Sequence, residues 1–192
     1  MLPPFIQPCS PIPATSVPTG EGWLHELKLD GYRLQVIKDE PTVRLYNRRG
    51  DDWGKRLAAL AEALRTIPAQ SVILDAELCL PAADGTSDFA GLQAVMDSGR
   101  GDELPVLAFA FDLLHLDGQD LRPLPLSERR RRLELLLERA KVPRLHLVEA
   151  FDDGQALLEM AERHGLEGVV SKRRLAPYRS GDCLDWRKVK TE

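Results

Sequence analysis

The sequence predicts one soluble domain that contains both strands and helices, and three observations support this prediction. The chain has 192 residues, which suits a single large domain with a proper core. It is 43% hydrophobic and 29% charged, a balance that is typical of soluble globular proteins. Short runs that alternate polar and apolar residues, the period of a strand, lie between segments whose leucines recur at helical spacing.

Charge and cysteine content narrow the class of protein further. A net charge of −4 argues weakly against a surface covered with phosphate contacts, although 26 Lys and Arg residues are enough for one basic face. The three cysteines, Cys9, Cys79 and Cys183, have no metal-ligand spacing and predict reduced thiols in a cytoplasmic protein. No apolar run approaches the roughly 20 residues of a membrane span, and neither a secretory signal nor a membrane partner is expected.

Residues 1–22 are predicted to be an extended arm outside the folded domain. This segment contains Gly20-Glu21-Gly22 and six prolines, which are Pro3, Pro4, Pro8, Pro11, Pro13 and Pro18. Proline lacks an amide hydrogen and fixes φ, so a proline-rich segment favours an extended conformation over a helix or a central strand. The folded domain is predicted to run from residue 23 to residue 190.

The first two predicted strands form a hairpin. Residues 26–30 alternate polar and apolar, and a period of two puts Glu26, Lys28 and Asp30 on one face. The next residue is a glycine, which permits a turn before a second strand at 33–37. Taken alone, this stretch is compatible with an ordinary hairpin whose outer face carries surface charges.

Lys28 has a second interpretation, as a nucleophile. An ammonium group cannot attack, so the pKa of such a lysine must fall from near 10.4 through desolvation or neighbouring cations. The hypothesis therefore predicts further Lys or Arg residues and a metal site elsewhere in the chain.

The middle of the chain continues with strands and helices. A strand is predicted at 42–46 and ends in the basic turn Asn47-Arg48-Arg49-Gly50. A helix at 53–66, capped by Asp51 or Asp52, has one apolar face at i, i+3, i+4 and i+7. The next predicted elements are a strand at 71–80 with Asp75 and Glu77 on one face, a helix at 88–96 and a central strand at 106–114.

The last part of the chain repeats this alternation. Ser127 is predicted to cap a helix that extends to Ala140, and Arg129–Arg132 are expected to spread around its solvated first turn. Further elements are predicted as a strand at 145–149, a helix at 153–164, a strand at 168–172 and a strand at 185–190. The last strand places Trp186, Lys188 and Lys190 on one face, and Glu167 immediately precedes the strand before it. Two cations and a carboxylate that could hold a hard metal thus accompany Lys28.

Five short motifs follow one another along the chain: Lys28-Leu29-Asp30-Gly31, Asp75-Ala76-Glu77-Leu78, Phe111-Asp112-Leu113-Leu114, Glu167-Gly168-Val169-Val170 and Lys188-Val189-Lys190. In residues and in order they resemble the motifs of the covalent nucleotidyltransferases, the family of ATP-dependent DNA ligases, RNA ligases and mRNA capping enzymes. The chain most resembles the ligase part of bacterial multifunctional end-joining DNA ligases. The resemblance covers nearly all of residues 3–190. It implies an α+β nucleotidyltransferase fold, with antiparallel sheets flanked by helices and an ATP groove between them.

The resemblance also implies a reaction. Lys28 would attack the α-phosphate of ATP, form lysyl-AMP and release pyrophosphate, and the AMP would then pass to a 5′-phosphate at a nick in double-stranded DNA. Catalytic roles would fall to Lys28, Arg33, Lys188 and Lys190. Phosphoryl-type transfer of this kind depends chiefly on positioning and on cancelling charge on phosphate oxygens.

The family's other binding roles carry over onto matching positions. Glu26 would contact the adenine amino group beside Leu27, Phe111 would stack on the base, and Glu77 would contact the ribose. Arg33 and Arg48 would grip the ribose region and the 5′-phosphate of the nick. Glu167, together with Glu77, would hold Mg²⁺ or Mn²⁺, and Lys188 and Lys190 would bind phosphate oxygens.

The family's DNA ligases continue into a C-terminal oligonucleotide-binding domain, which is expected to be absent here. The chain is therefore expected to be an adenylation domain alone, either truncated or naturally separate, and to adenylylate slowly. Other end-joining factors are further expected partners, and the expected location is the bacterial cytoplasm at the nucleoid. Two alternatives stay open: an RNA ligase or capping-type enzyme, and a catalytically idle DNA-nick-binding module. Nucleotide preference and DNA versus RNA nick binding would separate the enzymes, and covalent AMP would exclude the idle module.

Overall fold

Residues 2–191, which the computed structural model describes, form two β-sheets and four α-helices. The strands are β1 (Cys9–Pro13), β2 (Trp23–Leu27), β3 (Tyr32–Asp39), β4 (Thr42–Asn47), β5 (Ser71–Cys79), β6 (Leu107–Leu116), β7 (Gln119–Asp120), β8 (Leu145–Leu147), β9 (Ala150–Phe151), β10 (Gly168–Arg173) and β11 (Gly181–Lys190). The helices are α1 (Ala58–Leu64), α2 (Phe89–Asp97), α3 (Leu126–Ala140) and α4 (Gly154–Arg163).

The strands are divided between a five-stranded and a six-stranded sheet. The first has the order β1-β11-β10-β2-β9 and the second the order β4-β3-β5-β6-β7, with β8 also paired to β6. Pairing is antiparallel except between β1 and β11 and between β6 and β8. The predicted α+β architecture of antiparallel sheets with flanking helices is confirmed.

The predicted hairpin at residues 26–37 is wrong, because its two strands belong to different sheets. β2 pairs with β10 and β9, whereas β3 pairs with β4 and β5. β2 also ends at Leu27 rather than Asp30, so Lys28 follows the strand in the segment that crosses between the sheets. Gly31 makes the crossing possible, since a Cβ there would lie 2.2 Å from the carbonyl oxygen of Leu78.

Two apolar clusters pack against opposite faces of the six-stranded sheet. Leu34 and Val36 of β3 pack in the cluster that the helices cover, together with Leu60 and Leu133. Ile37 of the same strand belongs to the second cluster, which also contains residues of the five-stranded sheet such as Trp186 and Cys183. Strand β3 is therefore buried on both faces, and the polar side chains on its second face lie between the two sheets.

The prediction that residues 1–22 form an arm outside the fold is wrong for the part that contains β1. Ile6 and Cys9 are buried, and the Gln35 side chain accepts a hydrogen bond from the Ile6 amide (2.9 Å) and donates one to the Ile6 carbonyl (2.7 Å). β1 lies at the edge of its sheet, where prolines are tolerated because an outward position needs no ladder hydrogen bond. The prolines thus predict extended backbone correctly but do not exclude a strand.

Two helix starts differ from their predictions. α1 begins at Ala58 rather than at residue 53, and the Asp52 side chain instead accepts a hydrogen bond from the amide of Gly54 in a turn (2.7 Å). α3 begins at Leu126, so Ser127 lies within the first turn and does not cap it. The amides of Leu126 and Ser127 donate to the carbonyls of residues 176 and 174, so distant backbone replaces the side-chain cap.

Other boundaries shift by a few residues. β6 begins one residue and ends two residues later than predicted, β8 ends two residues earlier, and β11 begins four residues earlier. The short strands β7 and β9 have no counterpart among the predicted elements. α2 and α4 begin after Asp88 and Asp153, whose side chains accept hydrogen bonds from backbone amides at 2.9 Å. Among residues 2–191, every helix is too short or too polar to cross a membrane.

Candidate active site

A cavity of about 540 Å³ lies between the two sheets, beside the segment that follows β2. Its lining includes eight of the ten predicted site residues, which are Glu26, Leu27, Lys28, Arg33, Arg48, Glu77, Phe111 and Lys188. Glu167 and Lys190 contact this group through Lys28 and through each other. Positions that are up to 164 residues apart in the chain, from Glu26 to Lys190, therefore meet at one site.

Lys28 lies at the exposed end of this cavity, because its side chain is partly open to solvent. Its backbone amide donates to the carbonyl of Gly168 (2.8 Å), which continues the β2–β10 pairing by one residue. Its Nζ is 2.5 Å from Oε2 of Glu167, and Oε1 of Glu167 is 3.3 Å from Nζ of Lys190. The side chains of Lys28 and Glu167 are 21% and 23% exposed, so this pair remains in contact with solvent.

Gly168 allows Glu167 to approach Lys28 this closely. Its φ is +146°, and a Cβ there would lie 2.1 Å from the carbonyl oxygen of Val189 on β11. Only glycine combines this backbone conformation with such close strand packing. The glycine of the Glu167-Gly168 pair is thus a requirement of the site's geometry.

Arg33 lies on the cavity side of β3 but is held firmly by the protein. Its Nε and Nη2 donate to Oδ1 and Oδ2 of Asp75 at 2.5 and 2.6 Å, and Nη2 also donates to the Cys9 carbonyl at 3.0 Å. Burial disfavours the charge, but Asp75 outweighs this effect and raises the pKa of Arg33 above its usual range. The guanidinium carbon is 4.7 Å from the centroid of the Phe111 ring. Arg33 therefore presents a fixed positive charge to the cavity.

Arg48 makes fewer contacts with the protein than Arg33, the other arginine that is predicted to bind phosphate. Its Nη2 donates to the Ser10 hydroxyl (2.9 Å) at the exposed surface. The Asn47 side chain shapes the basic turn by accepting hydrogen bonds from the amides of Arg49 and Asp51 (2.9 Å each). Arg48 is consequently positioned by its turn, and its guanidinium makes an exposed hydrogen bond.

Glu77 is directly opposite Arg33 in the β3–β5 pairing. Burial raises the pKa of Glu77 to about 7, although the positive charges of Arg33 and Lys28 act in the opposite direction. A carboxylate with this pKa changes its charge near neutral pH. Glu77 is thus a titratable group on the cavity wall.

The two predicted metal-binding carboxylates, Glu77 and Glu167, fit a cation that needs few protein ligands. Within residues 2–191 there is no cluster of three or more His, Cys, Asp or Glu side chains that could hold a metal ion. Mg²⁺ usually keeps several waters and binds one or two carboxylates together with substrate phosphates. The donor set therefore fits Mg²⁺ or Mn²⁺ shared with a phosphate ligand, and it does not form a metal site made of protein alone.

Glu26 lies at the buried end of the cavity, because it lines the cavity and is almost inaccessible to solvent. Its Oε2 is 2.5 Å from Nζ of Lys172, and its Oε1 accepts a hydrogen bond from Nη1 of Arg130 at 2.6 Å. Burial raises the pKa of Glu26, whereas Lys172 and Arg130 favour its charged form. Lys172 Nζ also lies 4.1 Å from the Trp186 ring centroid and 4.3 Å from that of Phe111. This end of the site combines a carboxylate with aromatic walls.

The sequence reasoning missed Lys172 and Arg130 as members of the site. Lys172 was assigned to a predicted strand without a role, and Arg130 was expected in a solvated helix start. That expectation is wrong for Arg129 and Arg130, which are 0% and 5% exposed. Helical geometry points two of four consecutive arginines inward, and Arg129 then pairs with the buried Asp112 at 2.8 Å. A carboxylate within the apolar run of β6 was the signal for a buried cationic partner.

Comparisons with known proteins find similarity to DNA ligases. The family model described as "ATP dependent DNA ligase domain" matches residues 3–190. The multifunctional non-homologous end joining protein LigD of Pseudomonas aeruginosa is 43% identical over 176 residues, which are 91% of this chain and 21% of that protein. A probable DNA ligase of Sorangium cellulosum is 37% identical over 181 residues, covering 86% of this chain and 32% of that protein.

Solved structures give the same result. The crystal structure of the ligase domain of Mycobacterium tuberculosis LigD is 34% identical, with a TM-score of 0.80, and the match covers 95% of this chain and 60% of that one. A mycobacterial DNA ligase D solved with ATP and MES has a TM-score of 0.76 at 34% identity, over 95% of this chain and 59% of that one. The chain thus spans about a fifth to a third of the two relatives compared above, and about three-fifths of the solved ligase structures.

Proposed function

Because this chain belongs to the family of ATP-dependent DNA ligase domains, we propose that it transfers AMP from ATP to Lys28 and then to the 5′-phosphate of a DNA nick. The observation that carries the proposal is the position of Lys28. Its Nζ lies at the exposed end of the cavity, 2.5 Å from Glu167, with Lys188 lining the same cavity and Lys190 on the other oxygen of Glu167. Lys28 is thus partly accessible, and Lys188 and Lys190 are the neighbouring cations that a phosphate-attacking lysine requires.

The first step needs an uncharged amine and an electrophilic phosphorus. The bond from Lys28 Nζ to the α-phosphorus forms, the bond to the bridging oxygen breaks, and pyrophosphate leaves. The ammonium proton must be lost first, and Glu167 is its hydrogen-bonding acceptor at 2.5 Å. Lys188, Lys190 and Arg33 would cancel the charge that develops on the phosphate oxygens.

A divalent cation fits the same end of the cavity. Glu167, with Glu77 nearby, would hold Mg²⁺ or Mn²⁺ together with phosphate oxygens, and the cation would supply Lewis-acid activation of the phosphate. The residues of the chain would keep the nucleotide in place: Glu77 offers an acceptor toward the ribose, and Leu27 lines the cavity beside Glu26.

The buried end of the cavity suits adenine. Glu26 is a hydrogen-bond acceptor, which matches the amino group of adenine and repels the oxygen that guanine carries at the same position. Phe111 contributes an apolar wall against which the base can pack, and Arg33 lies over the same ring. These features support ATP as the nucleotide.

The second step uses the exposed side of the site. Arg48 lines the cavity and reaches the surface, where a planar guanidinium suits a 5′-phosphate at a nick. We infer that efficient sealing also needs an oligonucleotide-binding domain, which would help to enclose the nick, and that other end-joining factors recruit the enzyme to DNA. The bacterial nucleoid is the corresponding location.

The test is the intact mass of the purified chain before and after incubation with ATP and Mg²⁺ or Mn²⁺. A gain of one AMP, absent in Lys28→Ala and retained in Lys55→Ala at an exposed lysine, is the expected result. A mass that falls by one AMP on addition of pyrophosphate means that the protein was already loaded, and it supports the same conclusion. If neither change occurs, even with an oligonucleotide-binding domain added in trans, the proposal is rejected in favour of an idle nick-binding module.

A further inference from the structure

Arg130 connects helix α3 to two parts of the cavity wall. Its Nη1 donates to Oε1 of Glu26 at 2.6 Å, and its Nη2 donates to the backbone carbonyl of Val148. Glu26 and Val148 both line the cavity, one from β2 and the other from the link between β8 and β9. One guanidinium therefore holds two acceptors from different elements in a fixed relation.

Arg130 contacts these two lining residues but is itself buried. The residue is 5% exposed and its Nε lies 3.5 Å from Glu134 on the same helix. Lys172 is the other cation on Glu26, but it holds Oε2 and its ammonium rests on the Trp186 and Phe111 rings. The two cations thus have different tasks, since only the planar fork of an arginine spans the carboxylate and the carbonyl together.

We propose that Arg130 is a positioning residue for base recognition, which orients the Glu26 carboxylate and the Val148 carbonyl so that the cavity selects a purine with a 6-amino group. This inference rests on the proposed function, because it specifies how the proposed ATP site distinguishes its base. Each acceptor oxygen has a second lone pair, which remains for the ligand after Arg130 has bound. A misplaced or rotated carboxylate would lose that hydrogen bond while the aromatic walls and the phosphate-binding residues stayed in place.

Helix α3 offers matched controls for Arg130. Arg131 is the next residue but its side chain is 58% exposed, and within residues 2–191 it pairs with Glu128 alone, on the same helix. Arg129 is fully buried, but its bidentate partner is Asp112 rather than a residue of the cavity wall. Comparing variants of these three consecutive arginines thus distinguishes a positioning role from the effect of surface charge and from that of a buried ion pair.

The experiment measures equilibrium binding by calorimetry in a Lys28→Ala background, which prevents covalent loading. The two ligands are ATP and purine riboside triphosphate, which lacks only the 6-amino group. The parent is expected to prefer ATP by about 100-fold, and Arg130→Gln should reduce this preference about tenfold, mostly through weaker binding of ATP. Arg131→Gln should keep the full preference, and Arg129→Gln should lower the melting temperature without changing the preference.

A double-mutant cycle distinguishes positioning from a general structural effect. In a Glu26→Gln background, Arg130→Gln should cause a clearly smaller loss of preference, because the part of its effect that passes through the Glu26 carboxylate is already removed and only the part that passes through the Val148 carbonyl remains. Equal weakening of the binding of both ligands by Arg130→Gln, or the same loss of preference in the Glu26→Gln background, overturns the inference.

If Arg130→Gln does not fold, the variant Arg130→Lys replaces it. Lysine keeps the charge but cannot span both acceptors, so part of the preference for ATP should be lost. A parent that binds neither nucleotide rejects the proposed function itself, and the inference with it.

Discussion

Two lysine–glutamate pairs, one at each end of the cavity, have the same N–O distance but different surroundings. Lys28 and Glu167 are 2.5 Å apart with side chains 21% and 23% exposed, whereas Lys172 and Glu26 are 2.5 Å apart with side chains 2% and 3% exposed. Each pair has a further cation, Lys190 at the exposed end and Arg130 at the buried end. Chemical composition alone therefore does not distinguish the two ends.

Exposure explains the different tasks that we assign to them. A partly exposed pair in water contributes little to stability and can exchange partners at low cost, which suits a nucleophile that must release its proton and receive a phosphate. A buried pair is costly to break, because either partner left alone is an unpaired charge in an apolar environment. The buried pair thus fixes the shape of the base site, and the exposed pair remains available for reaction.

The largest expected effect is the loss of AMP loading in Lys28→Ala. Lys28 is the residue to which we assign the bond to AMP, so the rate of covalent loading should fall by at least about a thousandfold. The melting temperature should change little, because the Lys28–Glu167 pair is partly exposed. Radiolabelled AMP transfer measures the rate, and retention of loading at more than a small fraction of the wild-type rate would contradict the assignment.

The next effect is on stability, and it belongs to the buried end. Lys172→Met should reduce the free energy of unfolding by about 3–5 kcal/mol, since it leaves Glu26 buried with one cation fewer. Urea unfolding measures this difference. A loss below about 1 kcal/mol would show that the two pairs do not differ in the way that their exposure indicates.

Substitution of Glu77 should have a pH-dependent effect of intermediate size on the free energy of unfolding. Burial raises its pKa from 4.5 to about 7 in the folded protein, so the ionised form is less favourable there than in the unfolded chain. The resulting loss of stability is absent below about pH 4.5, grows as the pH rises, and is complete above about pH 7. Glu77→Gln should therefore stabilise the protein at about pH 8 by roughly 1–3 kcal/mol and much less at about pH 5. A gain that is independent of pH would exclude titration of Glu77 as its cause.

The smallest stability effect is expected at the exposed end. Lys190→Met removes a cation from Glu167, as Lys172→Met removes one from Glu26, but the Lys190 side chain is 66% exposed. The free energy of unfolding should change by less than about 1 kcal/mol in the same urea experiment. A loss as large as that of Lys172→Met would remove the contrast between the two ends.

The sequence predicts most strands and helices and the order of the motifs, but not which strands pair. The period-two pattern of polar and apolar residues correctly predicts that successive side chains of β3 point to opposite faces. It contains no information on whether β2 pairs with β3 or with the distant β10. The arginines of α3 show the same limit, since helical spacing spreads Arg129–Arg132 around the axis but does not say which of them find Asp112 and Glu26. Lys172 was missed because a lysine within a strand becomes informative only when its buried carboxylate partner is known. Non-local contacts decided each of these cases.

Peptide mapping of the loaded protein locates the residue that carries the AMP. Lys28 and Lys172 each lie 2.5 Å from a glutamate, and we assign the nucleophile to Lys28 because its side chain is 21% exposed whereas that of Lys172 is 2% exposed. We predict that one AMP is found on the peptide that contains Lys28 and that the peptide with Lys172 is unmodified. AMP on Lys172, or on any other lysine while Lys28 is intact, would contradict the central claim.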